Sequence, residues 1–308
     1  MKQGTGPSKE SKDKAFSLFL ALPAVLMTVI FILIPVVDSV IKSFTQYQIK
    51  NVISGKPGTW NNFNNYIKLF NNSKLPQAIG NTFAFVIAVV ILAFLIGMTL
   101  AVILNSGVKG AKIIQGLMMT PWIIPTVISA LIWMWLFQPQ YGLVKYLISV
   151  FTGGRISDLA VLNNPRTALA GVSVAALWKQ IPLMTLLLLA GLQNVPQELI
   201  EAATVDGANR WERFIHITIP SMRSVINIAV SMCIIENFKQ FPLFWTMTGG
   251  GPNDSTSTLA ILSYREAFVS QNLGSGAAVT TVWMVLMIGV IFIYHKIMDR
   301  ISGEKEEA

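Results

Sequence analysis

The strongest constraint on the fold is a series of long apolar runs separated by short polar segments. A membrane-spanning helix needs about 20 mostly apolar residues, and six runs of the sequence meet this requirement. Only 12% of the residues are charged, about half the fraction usual in soluble domains. The pattern predicts an all-α integral membrane protein with six transmembrane helices, at about 15–37, 78–104, 113–137, 167–192, 225–247 and 277–297.

The polar ends of the chain indicate its orientation. Lys12 and Lys14 precede the first run as in a signal peptide, but that run is too long and no small-residue cleavage site follows, so we expect a retained span. With the N-terminus inside, inner segments hold twelve lysines and arginines against nine in longer outer segments, and positive residues favour the cytoplasm. We expect a multi-pass protein of the cell (inner or plasma) membrane, with cytoplasmic tails at 1–14 and 298–308 around a membrane domain at 15–297.

Composition and motifs argue against several classes of function. The one cysteine rules out an intrachain disulfide, and His216 and His295 lack cysteines or carboxylates at ligand spacing, so no metal site is expected. The basic residues are scattered, which argues against a nucleic-acid partner. No P-loop ending in Gly-Lys-Ser or Gly-Lys-Thr occurs. We therefore predict no catalytic residue and no ATPase activity of the chain itself. The alternative is an intramembrane enzyme.

Prolines and short connections interrupt the apolar pattern. A proline inside a span is tolerated when neighbouring helices or water satisfy the freed carbonyl. Each one indicates either a broken helix that lines a cavity or a simple kink. The Asn-rich segment 51–76 reads as an irregular connection, and 142–151 as a short interfacial helix. The prolines in question are at positions 23, 35, 121, 125, 182 and 242.

The polar segment 195–220, "VPQELIEAATVDGANRWERFIHITIP", lies between the fourth and fifth runs. Asn194 with Gln197 at N3 predicts a helix start, and Asp206-Gly207 predicts a left-handed stop. Asn209 with Glu212 predicts a second capped helix, which we expect to end at Pro220. Such a rigid pair of helices at the cytoplasmic face is either a lever that a partner grips or a connector that rests on the membrane surface.

This segment resembles the EAA loop of permease subunits in binding-protein-dependent ABC importers. The residues that carry the resemblance are "EAATVDGA" followed by "IHITIP", with Ile219 in place of the usual Leu. The resemblance implies that the loop docks in a cleft of a cytoplasmic ATPase subunit. The positions it assigns to this coupling are Glu201, Ala202, Ala203 and Gly207.

A second motif, "TMTGGGPNDSTSTLAILSYREAF", is similar to the sugar-type permeases of the maltose and glycerol-3-phosphate group, and the resemblance extends over 19–294. It implies a channel-forming subunit that works with a second permease subunit, two copies of a cytoplasmic ATPase and an extracellular solute-binding protein. ATP is then used by the ATPase, and this chain binds no cofactor. We read Gly249, Gly250, Gly251 and Pro252 as a tight external turn near the docked binding protein.

Polar residues inside the fourth and fifth runs are candidate substrate ligands, because such residues are costly within a membrane. Helical spacing puts Glu236, Lys239 and Gln240 on one face, with the aromatic residues Phe238, Phe241 and Trp245 interleaved. The alternative is structural: Lys179 or Lys239 pairs with Glu236 and holds two helices together. The charges also raise the hypothesis of an acidic saccharide. Counting from the two motifs, the resemblance places a sugar site at Lys179, Gln180, Leu183, Glu236, Asn237 and Gln240.

Two other transport classes remain open. An ion-gradient-driven secondary transporter often shows repeated halves with matched broken helices, and no such repeat is visible. An ABC permease for a non-sugar solute is the nearer alternative, against which the Thr-Gly-Gly-Gly-Pro motif argues. The tryptophans at 122, 133, 135 and 283 are typical of packing or membrane-interface positions rather than of a binding site.

Overall fold

The computed structural model of the chain describes residues 20–154 and 160–303, and within them the fold is helical apart from one short strand pair. Strands β1 (Thr45–Gln46) and β2 (Thr59–Trp60) pair in antiparallel register. The helices are α1 (Leu20–Ser43), α2 (Ile49–Ile53), α3 (Asn64–Phe70), α4 (Lys74–Asn105), α5 (Ala111–Ile123), α6 (Thr126–Leu136), α7 (Leu143–Phe151), α8 (Ala168–Gln193), α9 (Gln197–Val205), α10 (Arg210–Ser221), α11 (Arg223–Phe238), α12 (Pro242–Met247), α13 (Leu259–Tyr264) and α14 (Leu273–Gly303).

The chain forms two compact units. Of the described residues, 20–69 and 265–281 form the smaller unit, and 70–154, 160–264 and 282–303 form the larger. Segment 195–220, called the coupling segment after the role predicted for it, and the predicted substrate residues all belong to the larger unit.

Four helices are long and apolar enough to cross a membrane: α1, α4, α8 and α14. They correspond to the first, second, fourth and sixth apolar runs. The tail 1–14 and residues 15–19 of the first run lie outside the described residues, and α1 continues six residues beyond the predicted end at 37. Up to six spans result if each of two sharply bent helix pairs counts as one.

The third and fifth runs are not continuous helices. Helices α5 and α6 meet at 94°, because Ile124 and Pro125 have extended backbone with ψ of 131° and 138°. A proline disfavours helical backbone in the residue before it, so the break falls there. In the fifth run, α11 ends at Phe238 and α12 begins at Pro242. Pro182, by contrast, lies inside the continuous helix α8.

The connection 51–76 is more ordered than its sequence suggests, so the prediction of an irregular segment was wrong. It contains part of α2, β2 and α3 and the start of α4. The buried amide of Asn65 donates hydrogen bonds to the carbonyls of Ser43 and Thr45, at 2.8 and 2.9 Å. Asparagine is typical of loops in a sequence, but here the Asn65 side chain orders the segment through contacts with residues about twenty positions earlier in the chain. The short helix predicted at 142–151 is confirmed by α7.

Helices α4 and α8 pack tightly against each other within the larger unit. Gly97 makes this approach possible: a Cβ atom there would lie 2.8 Å from Cγ of Met184 and 3.3 Å from the backbone nitrogen of Thr185. Small residues at helix contacts allow close packing where lipid removes the hydrophobic driving force. The buried side chains of Phe85, Val172 and Phe244 contribute to a core around this pair.

Candidate functional site

The coupling segment forms two helices joined by a tight turn, as predicted. Gly207 has a left-handed φ of +84°, its N–H donates to Thr204, and the N–H of Ala208 donates to the carbonyl of Ala203 at 2.9 Å. These are the two hydrogen bonds of a Schellman helix stop. The capping box is also present, since Asn209 Oδ1 accepts from the N–H of Glu212 and Glu212 Oε2 accepts from that of Asn209.

Both outer ends of the segment differ from the prediction. Asn194 caps the C-terminus of α8, and the N-cap of α9 is Pro196, whose ψ of 123° turns the chain. Pro220 does not end the second helix, because the backbone stays helical from the π-helical turn Phe214–Thr218 through Ile219 and Pro220. Helix α10 therefore continues to Ser221, and a bend of 71° separates it from α11.

Helices α9 and α10 with the turn between them are called the hook below. The residues that the resemblance assigns to coupling lie on its surface. Glu201, Ala202 and Gly207 are exposed, and Ala203 is half-buried. The Arg213 guanidinium donates to Thr204 Oγ1 and ties α10 to α9. The two helices are thus joined by a side-chain contact as well as by the turn, and most of α9 is exposed.

A cavity of about 480 Å³ lies between α8, α11 and the break that separates α5 from α6. The fourth and fifth runs each contribute four residues to its lining, and the other wall is the segment from Trp122 to Thr126. All six residues predicted as substrate ligands line this one cavity: Lys179, Gln180, Leu183, Glu236, Asn237 and Gln240.

The side chain of Lys179 contacts the break between α5 and α6. Its ammonium donates to the carbonyl oxygens of Ile124 at 2.5 Å and Pro121 at 3.3 Å. Carbonyls at a helix end lack intrahelical partners, and the lysine supplies a charged donor to them. The contact joins α8 to the break beside Pro125, and the partner is not Glu236, so that part of the alternative was wrong.

Glu236 instead pairs with Lys239, three residues along, at 3.0 Å. Both side chains are more than half exposed, at 60% and 51%, and the pair connects no second helix. Because α11 ends at Phe238, Lys239 and Gln240 do not continue the helical face, and Lys239 is not among the residues lining the cavity. Asn237 is 4% exposed, and its amide donates to the carbonyl of Cys233 at 2.8 Å.

Trp122 is a lining residue that the sequence analysis missed. It was grouped with the packing tryptophans, and two of these, Trp133 and Trp283, do pack against the core. Trp122 reaches the cavity because the chain turns at Pro125. The proline break was the signal that could have identified it.

An aromatic stack lies beyond the second break. Phe241 and Trp245 are stacked at 5.7 Å between ring centroids, and Tyr264 lies 4.6 Å from Trp245 and 5.0 Å from Phe241. The stack follows Gln240 directly in the chain. None of these three rings is among the residues that line the cavity, and Phe238, the third aromatic residue predicted beside the polar face, is buried.

The glycine-rich motif is a compact turn. Gly249 and Gly250 have left-handed φ values of +58° and +95°, and Thr256 Oγ1 donates to the carbonyl of Gly251 at 2.7 Å. The amide of Asn81 on α4 holds the turn by donating to the carbonyl of Asp254 at 3.0 Å. Of the predicted docking positions, Gly250 is buried, whereas Gly249, Gly251 and Pro252 are half-buried. Within residues 20–154 and 160–303, no three His, Cys, Asp or Glu side chains are grouped as a metal site would require.

Comparison with known proteins gives consistent matches over nearly the whole chain. A trehalose/maltose transport system permease protein of Thermococcus litoralis is 31% identical over 93% of this chain and 94% of the relative. A sulfoquinovosyl glycerol transport system permease protein of Agrobacterium fabrum is 30% identical over 93% and 91%. A chain of a bacterial ABC transporter involved in the import of the acidic polysaccharide alginate has the same fold, with a TM-score of 0.79, 21% identity and coverage of 95% and 98%.

The family profile described as "Binding-protein-dependent transport system inner membrane component" matches residues 93–302. This region contains the cavity, the coupling segment and the glycine-rich turn. The chain therefore belongs to the family of inner-membrane permease components of binding-protein-dependent ABC importers.

Proposed function

We propose that this chain is the channel-forming subunit of an ATP-driven importer for a sugar or oligosaccharide. The observation that carries the proposal is that two broken helices and α8 bring the six predicted substrate residues to one cavity. Side chains that donate and accept hydrogen bonds suit sugar hydroxyls, and the ring of Trp122 in the lining suits the apolar face of a pyranose. The names of the permease relatives are consistent with such a solute.

The membrane arrangement in this proposal has six spans. Helices α5 and α6 together form the third span, and α11 with α12 forms the fifth. Residues 15–297 form the membrane domain, and the tails at 1–14 and 298–308 lie in the cytoplasm. Because segment 195–220 then lies on the same side as the tails, its helices can reach a cytoplasmic protein.

The partners in this proposal are a second permease subunit, two ATPase copies and an extracellular solute-binding protein. The ATPase binds α9 around Glu201, Ala202 and Ala203, and Gly207 maintains the turn that follows. The nucleotide cycle of the ATPase then moves the hook. Because α10 is continuous with the bend into α11, a displacement of the hook reaches Glu236 and Asn237. The turn at 249–252 serves as the docking site for the binding protein.

The charges of the cavity favour a neutral saccharide over the acidic one considered from sequence. Lys179 donates hydrogen bonds to two carbonyls. Lys239 does not line the cavity and pairs with Glu236, which does. Uptake of neutral and uronic oligosaccharides of equal length by the reconstituted complex decides between them. Faster uptake of the uronic series would overturn the assignment.

The test of the whole proposal is uptake in proteoliposomes with the ATPase and binding protein present. Uptake should require ATP, and a Glu201→Ala or Gly207→Val replacement should abolish it and weaken co-purification of the ATPase. A surface replacement away from the segment, Lys109→Ala, serves as the matched control. Uptake that survives without ATP but follows a proton or sodium gradient would instead establish a secondary transporter.

A further inference from the structure

A second cavity lies beside the coupling segment, where α4 and α8 end. Its volume of about 440 Å³ is within the range of roughly 300–1,000 Å³ for pockets that hold small ligands. It is lined on one side by apolar side chains and on the other by two arginines, Arg210 and Arg213. The apolar wall consists of Val102, Leu192, Val195, Ile200 and Phe214.

The charged side of this cavity suits an anion. Among the described residues that line it, none is acidic, and Glu212, between the two arginines in sequence, accepts the backbone N–H of Asn209 instead. Arg213 uses one donor on Thr204 Oγ1, and a guanidinium carries five N–H donors. Both arginines can therefore offer N–H groups to oxygen atoms of a ligand, and a phosphate matches their planar geometry.

The apolar side indicates where the anion comes from. The cavity begins at Val102 and Asn105, where the apolar helix α4 ends, so it lies at the level where a span leaves the hydrocarbon region. Val102 is exposed. Contact with Val102 or Phe214 would add no favourable binding free energy for a free inorganic anion, because both side chains are apolar. Basic pockets between transmembrane helices at this level bind lipid headgroups.

We propose that this cavity binds the headgroup of an anionic phospholipid, with Arg210 and Arg213 pairing with its phosphate and the apolar wall covering the start of its acyl chains. The lipid would fill the space between the end of α4 and the hook, and so brace the hook against the membrane. The proposal concerns lipid binding only and does not depend on which solute is transported.

The test is lipid retention by the full-length chain, purified in detergent with added phosphatidylglycerol or phosphatidylcholine and analysed by native mass spectrometry. The wild-type chain should retain phosphatidylglycerol preferentially. An Arg210→Gln/Arg213→Gln variant should bind it about thirtyfold more weakly, because each cation near an anionic headgroup contributes roughly fivefold in affinity. Lys109→Gln/Lys112→Gln removes the same charge from exposed positions outside the cavity and should leave retention unchanged.

Three outcomes would overturn the proposal. Equal loss in both double variants would show that overall charge, and not this cavity, attracts the lipid. Displacement of phosphatidylglycerol by millimolar inorganic phosphate would show that the site takes a free anion. Loss of the lipid on addition of the ATPase subunit would show that the arginines serve an acidic protein surface. Circular dichroism of the arginine variant excludes unfolding as the cause of a loss.

Discussion

Replacing Lys179 by methionine should lower the free energy of unfolding far more than the same replacement of Lys239. Both changes remove one ammonium and keep a long side chain, but the two lysines have different partners. Lys179 donates to two carbonyls at the break between α5 and α6. Lys239 pairs with Glu236 three residues away, with both side chains more than half exposed. The pair of variants therefore compares a bond between helices with a surface ion pair.

The magnitudes differ by several-fold. A hydrogen bond from a charged donor contributes about 1.5–3 kcal/mol, so losing two at Lys179 should cost about 3 kcal/mol or more. An exposed ion pair at helical spacing contributes roughly 0.3–0.5 kcal/mol. At roughly 2–4 °C per kcal/mol for chains of this size class, Lys179→Met should lower the unfolding midpoint by several degrees, and Lys239→Met by about 1 °C.

The assay is thermal unfolding of the purified chain in detergent, followed by fluorescence. Trp122 adjoins the break, so its emission should shift in Lys179→Met before global unfolding. Lys179→Arg retains charged N–H donors and should recover part of the lost stability. Equal midpoints for the two methionine variants would refute the view that Lys179 holds the broken helix in place.

Three further replacements test other parts of the structure. Gly97→Val should destabilise the chain by roughly 1–3 kcal/mol, because its Cβ would overlap Met184; Gly80→Val on the same helix, where a Cβ meets no atom within 4 Å, is the control, and equal losses would contradict the packing argument. Gly207→Val should lower the stability of the chain by about 1–2 kcal/mol, because Gly207 has a left-handed φ, and the variant should lose the ATPase in co-purification. The Gly207→Asn variant should retain more ATPase than the Gly207→Val variant. Asn237→Leu should raise the KM for uptake about tenfold with little loss of stability, since the Cys233 carbonyl that it contacts also accepts the backbone bond of the helix; an unchanged KM would remove Asn237 from the substrate site.

Local signals made much of the coupling segment predictable. Gly207 and the Asn209–Glu212 box act within one helical turn, and both have the predicted geometry. The N-cap was wrong because Asn194 and Pro196 are both compatible with a helix start, and only the length of α8 decides between them. That length depends on packing against α4, which no local pattern contains.

Long-range contacts account for the other differences. The partner of Lys179 is a backbone carbonyl 55 residues away in the chain. Charge patterns in a sequence indicate only other side chains, so the structural alternative considered for Lys179 was Glu236. Trp122 faces the cavity only because the chain turns by 94° at Pro125. A proline in an apolar run indicates that a bend can occur, but the neighbouring helices determine whether it becomes a break, as at Pro125, or stays within a helix, as at Pro182.

The central claim is that segment 195–220 is a cytoplasmic hook that an ATPase grips, and one labelling measurement tests it directly. Val205, at the end of α9, is 88% exposed, and the one native cysteine, Cys233, is fully buried, so a Val205→Cys variant carries a single accessible thiol. A membrane-impermeant maleimide should label inside-out vesicles and leave right-side-out vesicles unlabelled, and co-assembled ATPase should slow the labelling. Labelling of right-side-out vesicles, or a rate that the ATPase does not change, would contradict the account.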